Sequence, residues 1–211
     1  MNVSVPRHKA LLVQVARQNI VDAVTRIIAA DGMQGFSMDR VASEAGVAKG
    51  TLYRYFTTKS ALVRATVDHC LLPMQDELFE TLARGGPPDV RLAEMIQRHL
   101  GFFERHRSFF RVLLYDRTLA QSKAARYKNS RFRQLIERTA AVVEEGVQAG
   151  LFRPLDPLKV ATVILEADIA MIGRRLVCED PGPVEDDAVL LRDMLIHGIG
   201  QSGPEDRQGQ R

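Results

Sequence analysis

Gly46-Val47-Ala48-Lys49-Gly50-Thr51-Leu52-Tyr53-Arg54-Tyr55-Phe56-Thr57-Thr58-Lys59-Ser60-Ala61-Leu62 is the stretch on which the fold turns. Its apolar residues recur at helical steps, and just before it Ser37 is a candidate N-cap for a short helix from about Met38 to Ala45. Gly46 can take the positive φ that ends that helix, and a second short helix follows from about Ala48 to Tyr55. Short helix, glycine turn, short helix is the arrangement of a helix-turn-helix, whose second helix enters the DNA major groove while the first braces it. The same pattern also occurs in plain helical bundles, so spacing alone leaves both readings open.

Side-chain chemistry separates the faces. Phe36, Val41, Ala42, Ala45, Val47, Leu52 and Phe56 form a candidate miniature core. That leaves Lys49, Gly50, Thr51, Tyr53, Arg54 and Tyr55 on or near the surface. A lysine supplies a point charge, hydroxyls supply donors, and a glycine at a helix start allows close approach of backbone amides to a phosphate.

Working outward, helical periodicity dominates the chain and no alternating strand pattern bounded by hairpin turns occurs. A long first helix is expected from Pro6 to Asp31, ending before Gly32. A fourth helix is expected from Lys59 to about Leu82, with Pro73 inside it as a kink and candidate hinge. Further helices are expected at about 89–106, 108–121, 129–149, 156–178 and 185–199. The fold class is therefore all-α, about nine helices: an N-terminal three-helix helix-turn-helix domain over residues 1–64, a C-terminal helical bundle over 65–200, and a disordered tail over 201–211.

Composition fits this reading. The 211 residues are 45% apolar and 26% charged, ordinary for a globular chain able to bury a core. Cys70 and Cys178 lie far apart without CxxC spacing or a His pair, which argues against a disulfide framework, a metal site or a metal cofactor and fits a reducing cytoplasm. No apolar run is long enough to span a membrane. The opening Arg7–Val13 stretch is interrupted by Gln14 and Arg17 before it becomes a secretory signal.

The net charge of +3 conceals four blocks: +5 over residues 1–64, −4 over 65–97, +8 over 98–138 and −6 over 139–211. The first basic block coincides with the helix-turn-helix and suits phosphates. The second holds Arg105, Arg107, Arg111, Arg126, Lys128, Arg131 and Arg133. It reads as a solvated face, with an anionic ligand such as an acyl-coenzyme A as the alternative.

The Gly46–Leu62 run closely resembles the signature of the TetR family of bacterial transcriptional regulators, and the fit extends back to about Arg17 through Gly32–Phe36 and Met38–Ala42. The resemblance implies a ligand-responsive, DNA-binding regulator and not an enzyme. It further implies a homodimer, usually a repressor, that binds a palindromic operator and releases it when a small molecule occupies the C-terminal domain. Carried over by position, Ser37 and Lys59 look like phosphate contacts, and Lys49, Gly50, Thr51, Tyr53 and Tyr55 look like recognition-helix contacts. Leu52 and Phe56 look structural. Ala48 stands where relatives often place Ser, so a helix cap is expected to be missing, and Ser60 replaces a frequent Glu. Arg7, His8 and Lys9 form either a basic arm for the minor groove or a plain basic tail.

In the C-terminal half, Phe102, Phe103, Phe109, Phe110 and Tyr115 are five of the chain's thirteen aromatic residues. Phe102, Phe103, Phe110, Leu113 and Met171 are the candidate lining for a largely apolar effector, set against the alternative of a filled core. His99 falls on an apolar face and reads as a core histidine. Glu166 and Asp168 sit in so apolar a helix that at least one needs a hydrogen-bonding partner. That helix is apolar nearly all round and needs partners on more than one side. Ala167, Ala170 and Gly173, with Leu191, Met194 and Leu195 of the last helix, are the candidate dimer interface, closing a four-helix contact about a two-fold axis. An all-α enzyme and a helical interaction protein are the rival readings. The first lacks a clustered nucleophile and base, and the second leaves the phosphate-suited residues of the second short helix unexplained.

Overall fold

The computed structural model describes residues 5–115 and 129–200. Nine α-helices make up the described residues: α1 (Val5–Asp31), α2 (Met38–Glu44), α3 (Lys49–Tyr55), α4 (Lys59–Ala83), α5 (Pro88–Arg105), α6 (Arg107–Tyr115), α7 (Ser130–Gln148), α8 (Pro157–Val177) and α9 (Val184–Ile199). The one β-type pairing among them is an isolated bridge between Phe152 and Gly200. Observed helix ends fall within a residue or two of the expected ones, and α6 is described only to Tyr115. The tail expected over 201–211 lies outside the described residues, as do Arg126 and Lys128. The side chains of Arg7, His8 and Lys9 are not described either.

Local chemistry sets the boundaries. Gly32 and Gly46, both at φ +66°, end α1 and follow α2 in the left-handed region that a side chain would strain. Asn129 caps α7 by accepting from the Arg131 and Phe132 amides, and Asp156 caps α8 by accepting from Leu158 and Lys159. Pro157 starts α8, where its missing N–H removes nothing from the helix. α4 runs through Pro73, so the His69 carbonyl one turn earlier receives no amide donor.

The chain forms two units. The first holds residues up to Pro73 together with α6, and the second begins at Met74 and holds α5, α7, α8 and α9. The division therefore falls inside α4 at the proline, nine residues beyond the expected boundary at 64, and α6 belongs with α1.

The first unit's core joins Ile20, Val24, Ile27 and Ile28 of α1 to Val41, Leu52, Phe56, Leu62 and Val63, all buried. Phe109 and Phe110 of α6 meet edge to face at 5.1 Å. In the second unit, Leu92, Met95, Ile96 and Leu100 of α5 and Ile164, Leu165 and Ile172 of α8 are buried with Val142 and Val143 of α7. Each such residue contributes about 1.5–3 kcal/mol from burial.

Candidate nucleic-acid interface

α2 and α3 are seven residues each, too short to persist alone, so packing must hold them. The buried contact is the expected one: Val41 and Leu52 are fully covered, and Phe56 and Ala45 nearly so. Gly46 and Val47 lock the turn by donating to the Ser43 and Ala42 carbonyls. α3 is thereby fixed with one face inward and Lys49, Gly50, Tyr53 and Arg54 exposed. Thr51 and Tyr55 lie half-buried at the edges of that face. Ala48 precedes α3 with no side-chain cap, matching the departure read from its sequence.

Ser37 caps α2 by accepting from the Arg40 amide at 3.2 Å, and it is exposed. Its hydroxyl proton is available to a phosphate. Tyr53 is 43% exposed. A Cβ at Gly50 would meet nothing within 4 Å, so the molecule's own packing does not require a glycine there.

Two lysines are less free than their sequence positions indicate. Lys49 Nζ lies 2.6 Å from Asp39 Oδ1, an exposed pair between the recognition helix and its brace. Asp39's hydrogen bond, and then its charge, raises the Lys49 pKa and keeps the ammonium protonated. Lys59 Nζ donates to the carbonyls of Phe36 at 2.9 Å and Met33 at 3.2 Å, and stands 4.8 Å from the centre of the Phe36 ring. Lys59 thus ties the α1–α2 turn to the start of α4, leaving one N–H for a phosphate. Asp39 was missed by the sequence reading; its separation of ten residues from Lys49 is legible only once the turn is folded.

Arg40 completes the local electrostatics, pairing with Asp31 at 2.6 Å and Glu44 at 3.1 Å. These two carboxylates raise its pKa. Arg17 lies over the Phe56 ring and Arg54 over Tyr55.

The candidate effector residues fall in both units. Phe110 and Leu113 are buried in the first, and Phe102, Phe103 and Met171 belong to the second. Phe102 and Phe103 meet edge to face at 5.4 Å. A narrow cleft beside Phe103 is lined by Ile172, not by its neighbour Met171. One helical residue turns the side chain by about 100°, and Met171 instead lies beside Arg174, whose Nε is 3.4 Å from its sulfur.

Of Glu166 and Asp168, at least one of which was expected to need a partner, Asp168 is fully buried and its Oδ2 accepts from His99 Nδ1. Arg175, unremarked in the sequence, is buried and bonds Glu104 at 2.8 Å, Asp187 at 2.5 Å and the Gly182 carbonyl at 2.9 Å, pinning the α8–α9 turn. The consecutive arginines 174 and 175 in an apolar helix were the available signal.

α8 keeps an exposed stripe opposite its buried one: Val163, Ala167, Ala170, Arg174 and Val177. On α9, Val189, Leu190 and Met194 are exposed, while Leu191 and Leu195 are half-buried. Gly173 is half-buried too, with open space where a Cβ would stand. Among the described residues no helix is long and apolar enough to cross a membrane, and no group of metal-ligating side chains gathers.

Against known proteins, residues 20–66 match the bacterial regulatory proteins of the tetR family, and residues 85–171 match the Tetracyclin repressor-like C-terminal domain. The HTH-type transcriptional regulator YhgD of Bacillus subtilis is 27% identical over 194 residues, which cover 85% of this chain and 94% of that protein. BetI of Rhizobium meliloti, also an HTH-type transcriptional regulator, is 24% identical over 196 residues, covering 90% of this chain and 92% of BetI. Among solved structures, FadR from Bacillus subtilis in complex with stearoyl-CoA superposes with a TM-score of 0.70 at 19% identity, covering 86% of this chain and 98% of FadR. These families and relatives are regulators of transcription rather than enzymes. With its helix-turn-helix and its C-terminal domain both matched, this chain belongs to the TetR family and is a DNA-binding transcriptional regulator.

Proposed function

We propose that the protein is a cytoplasmic, homodimeric repressor that occupies a palindromic operator and leaves it when a largely apolar small molecule binds the C-terminal domain. The observation that carries the reading is the division of α3: Leu52 fully buried beneath it, Lys49, Gly50 and Tyr53 exposed above. In this reading Lys49 or Thr51 lies nearest the bases, Tyr53 and Tyr55 hold the backbone, and Ser37 and the remaining Lys59 proton meet phosphates. Half-site spacing in the operator follows the spacing of two α3 helices across a two-fold axis.

The exposed apolar face of α8 and α9 supports the dimer. Val163 and Met194 are 68% and 65% exposed, and removing such apolar surface from water favours its burial against a partner. Ala167, Ala170 and Gly173 permit close helix approach, with Leu191, Met194 and Leu195 along the second helix. The stearoyl-CoA complex of FadR supports an effector with a long apolar part. Phe102, Phe103 and Met171 of the second unit remain the proposed contacts for it, and the release step is a coupling between effector and DNA binding.

Selecting bound fragments from random duplex DNA tests the function. A palindromic motif should emerge, and Lys49→Met and Tyr53→Phe should each weaken its binding with the helical content unchanged. Full affinity in both variants would remove α3 from the interface.

A further inference from the structure

Asp168 is the one fully buried carboxylate on α8, in a helix whose buried face is otherwise built mainly of Ala161, Ile164, Leu165, Ile172 and Leu176. Its Oδ2 takes the His99 Nδ1 donor, but its buried Oδ1 accepts nothing among the described residues. Leaving a charged acceptor half-satisfied in an apolar surrounding is costly, so such atoms mark places where a further donor belongs. The other buried charged side chain of α8, Arg175, is committed to Glu104, Asp187 and the α8–α9 turn.

One helical turn from His99, the Phe103 ring meets the His99 ring edge-on at 5.3 Å, and it lines the cleft between α5 and α8 with Leu100, Glu104, Ile172, Arg175 and Leu176. That cleft is too narrow for a water molecule as it stands, so a molecule reaching the pair must turn the Phe103 ring and bring its own apolar surface.

We propose that the His99–Asp168 pair is the polar anchor of an effector site within the second unit, and that it selects an apolar molecule bearing a protonated amine. The inference deepens the effector reading above and rests on it for its regulatory meaning. The ammonium donates to Asp168 Oδ1, its charge meets the carboxylate in a low-dielectric surrounding, and the Phe103 ring adds cation–π attraction. An anionic head group meets the carboxylate's repulsion instead. A neutral alcohol can supply the hydrogen bond without the charge.

The test is calorimetric titration of the full chain with dodecylamine, dodecanol and dodecanoate at neutral pH, each below its aggregation concentration. Dodecylamine should bind at least about ten-fold more tightly than the other two. Asp168→Asn keeps an acceptor for His99 but removes the charge, and should bring the amine down to the alcohol's affinity. Equal binding of alcohol or carboxylate by the wild type, or undiminished amine binding by the variant, overturns the proposal. If the variant does not fold, the wild-type ranking decides alone. Operator retention measured alongside separates the two readings. Release of DNA by dodecanoate without amine preference leaves the effector function standing and this anchor refuted. Asp168-dependent amine binding that never alters DNA retention does the reverse.

Discussion

Replacing Asp39 with Asn should make DNA binding both tighter and more salt-sensitive, and the reason lies in the pair it forms with Lys49. In the free protein the ammonium is already neutralised at 2.6 Å, with both side chains largely exposed. When Lys49 turns to DNA it displaces a condensed counterion, but the abandoned Asp39 recruits a cation from solution. The net release from that contact is near zero. In D39N no carboxylate remains to recruit one, and the contact contributes its full share, a slope of about 0.9 in log affinity against log salt. Between about 50 and 200 mM salt that is about 3.5-fold per protomer, or about 12-fold for a dimer with both half-sites filled. Fluorescence anisotropy on a selected operator across that range measures it. The companion variant makes the cycle: Lys49→Met should barely change the slope in the wild-type background and should cancel the steepening in D39N. An unchanged slope in D39N, or an equal effect of Lys49→Met in both backgrounds, would refute the exchange. Because Asp39 raises the Lys49 pKa, the cationic form is held as pH rises, so Lys49's part in the affinity stays flat through neutrality and fades only in alkali.

Gly146→Ala should cost about 1–3 kcal/mol in chemical denaturation, because an added methyl would overlap the buried Phe152 ring, whose amide and that of Leu151 both donate to the Gly146 carbonyl; an unchanged midpoint would show that the ring yields freely. Met194→Asp should raise the dimer dissociation constant at least about ten-fold with the helical signal retained, read by analytical ultracentrifugation; a wild-type dimer would move the interface away from α9. Burial pushes the Cys70 thiol up, with Thr25's hydrogen bond opposing, so Cys70 should resist alkylation in mildly alkaline buffer and react readily only in denaturant. The linked stability is present below the ordinary thiol pKa and lost as pH climbs through the raised one, and rapid labelling of the native chain at Cys70 would contradict it.

Much of this molecule is local enough to be legible in one dimension. Helix ends depend on neighbours a few residues apart, which is why Ser37, Gly32 and Gly46 announced their boundaries and why the bare Ala48 announced a missing cap. The inward residues of α2 and α3 follow from helical period, so the exposed recognition face could be written down from the residues alone. Pairings across long separations carry no such mark. His99 with Asp168, Arg175 with Glu104, Lys59 with the Phe36 carbonyl and Lys49 with Asp39 each depend on where helices come to lie, and many acids compete for every base along the chain. An apolar helix containing an acid shows that a partner is needed, because burying an unpaired charge is prohibitive. Only the packing of α8 against α5 chooses which residue supplies it, and which oxygen is left over.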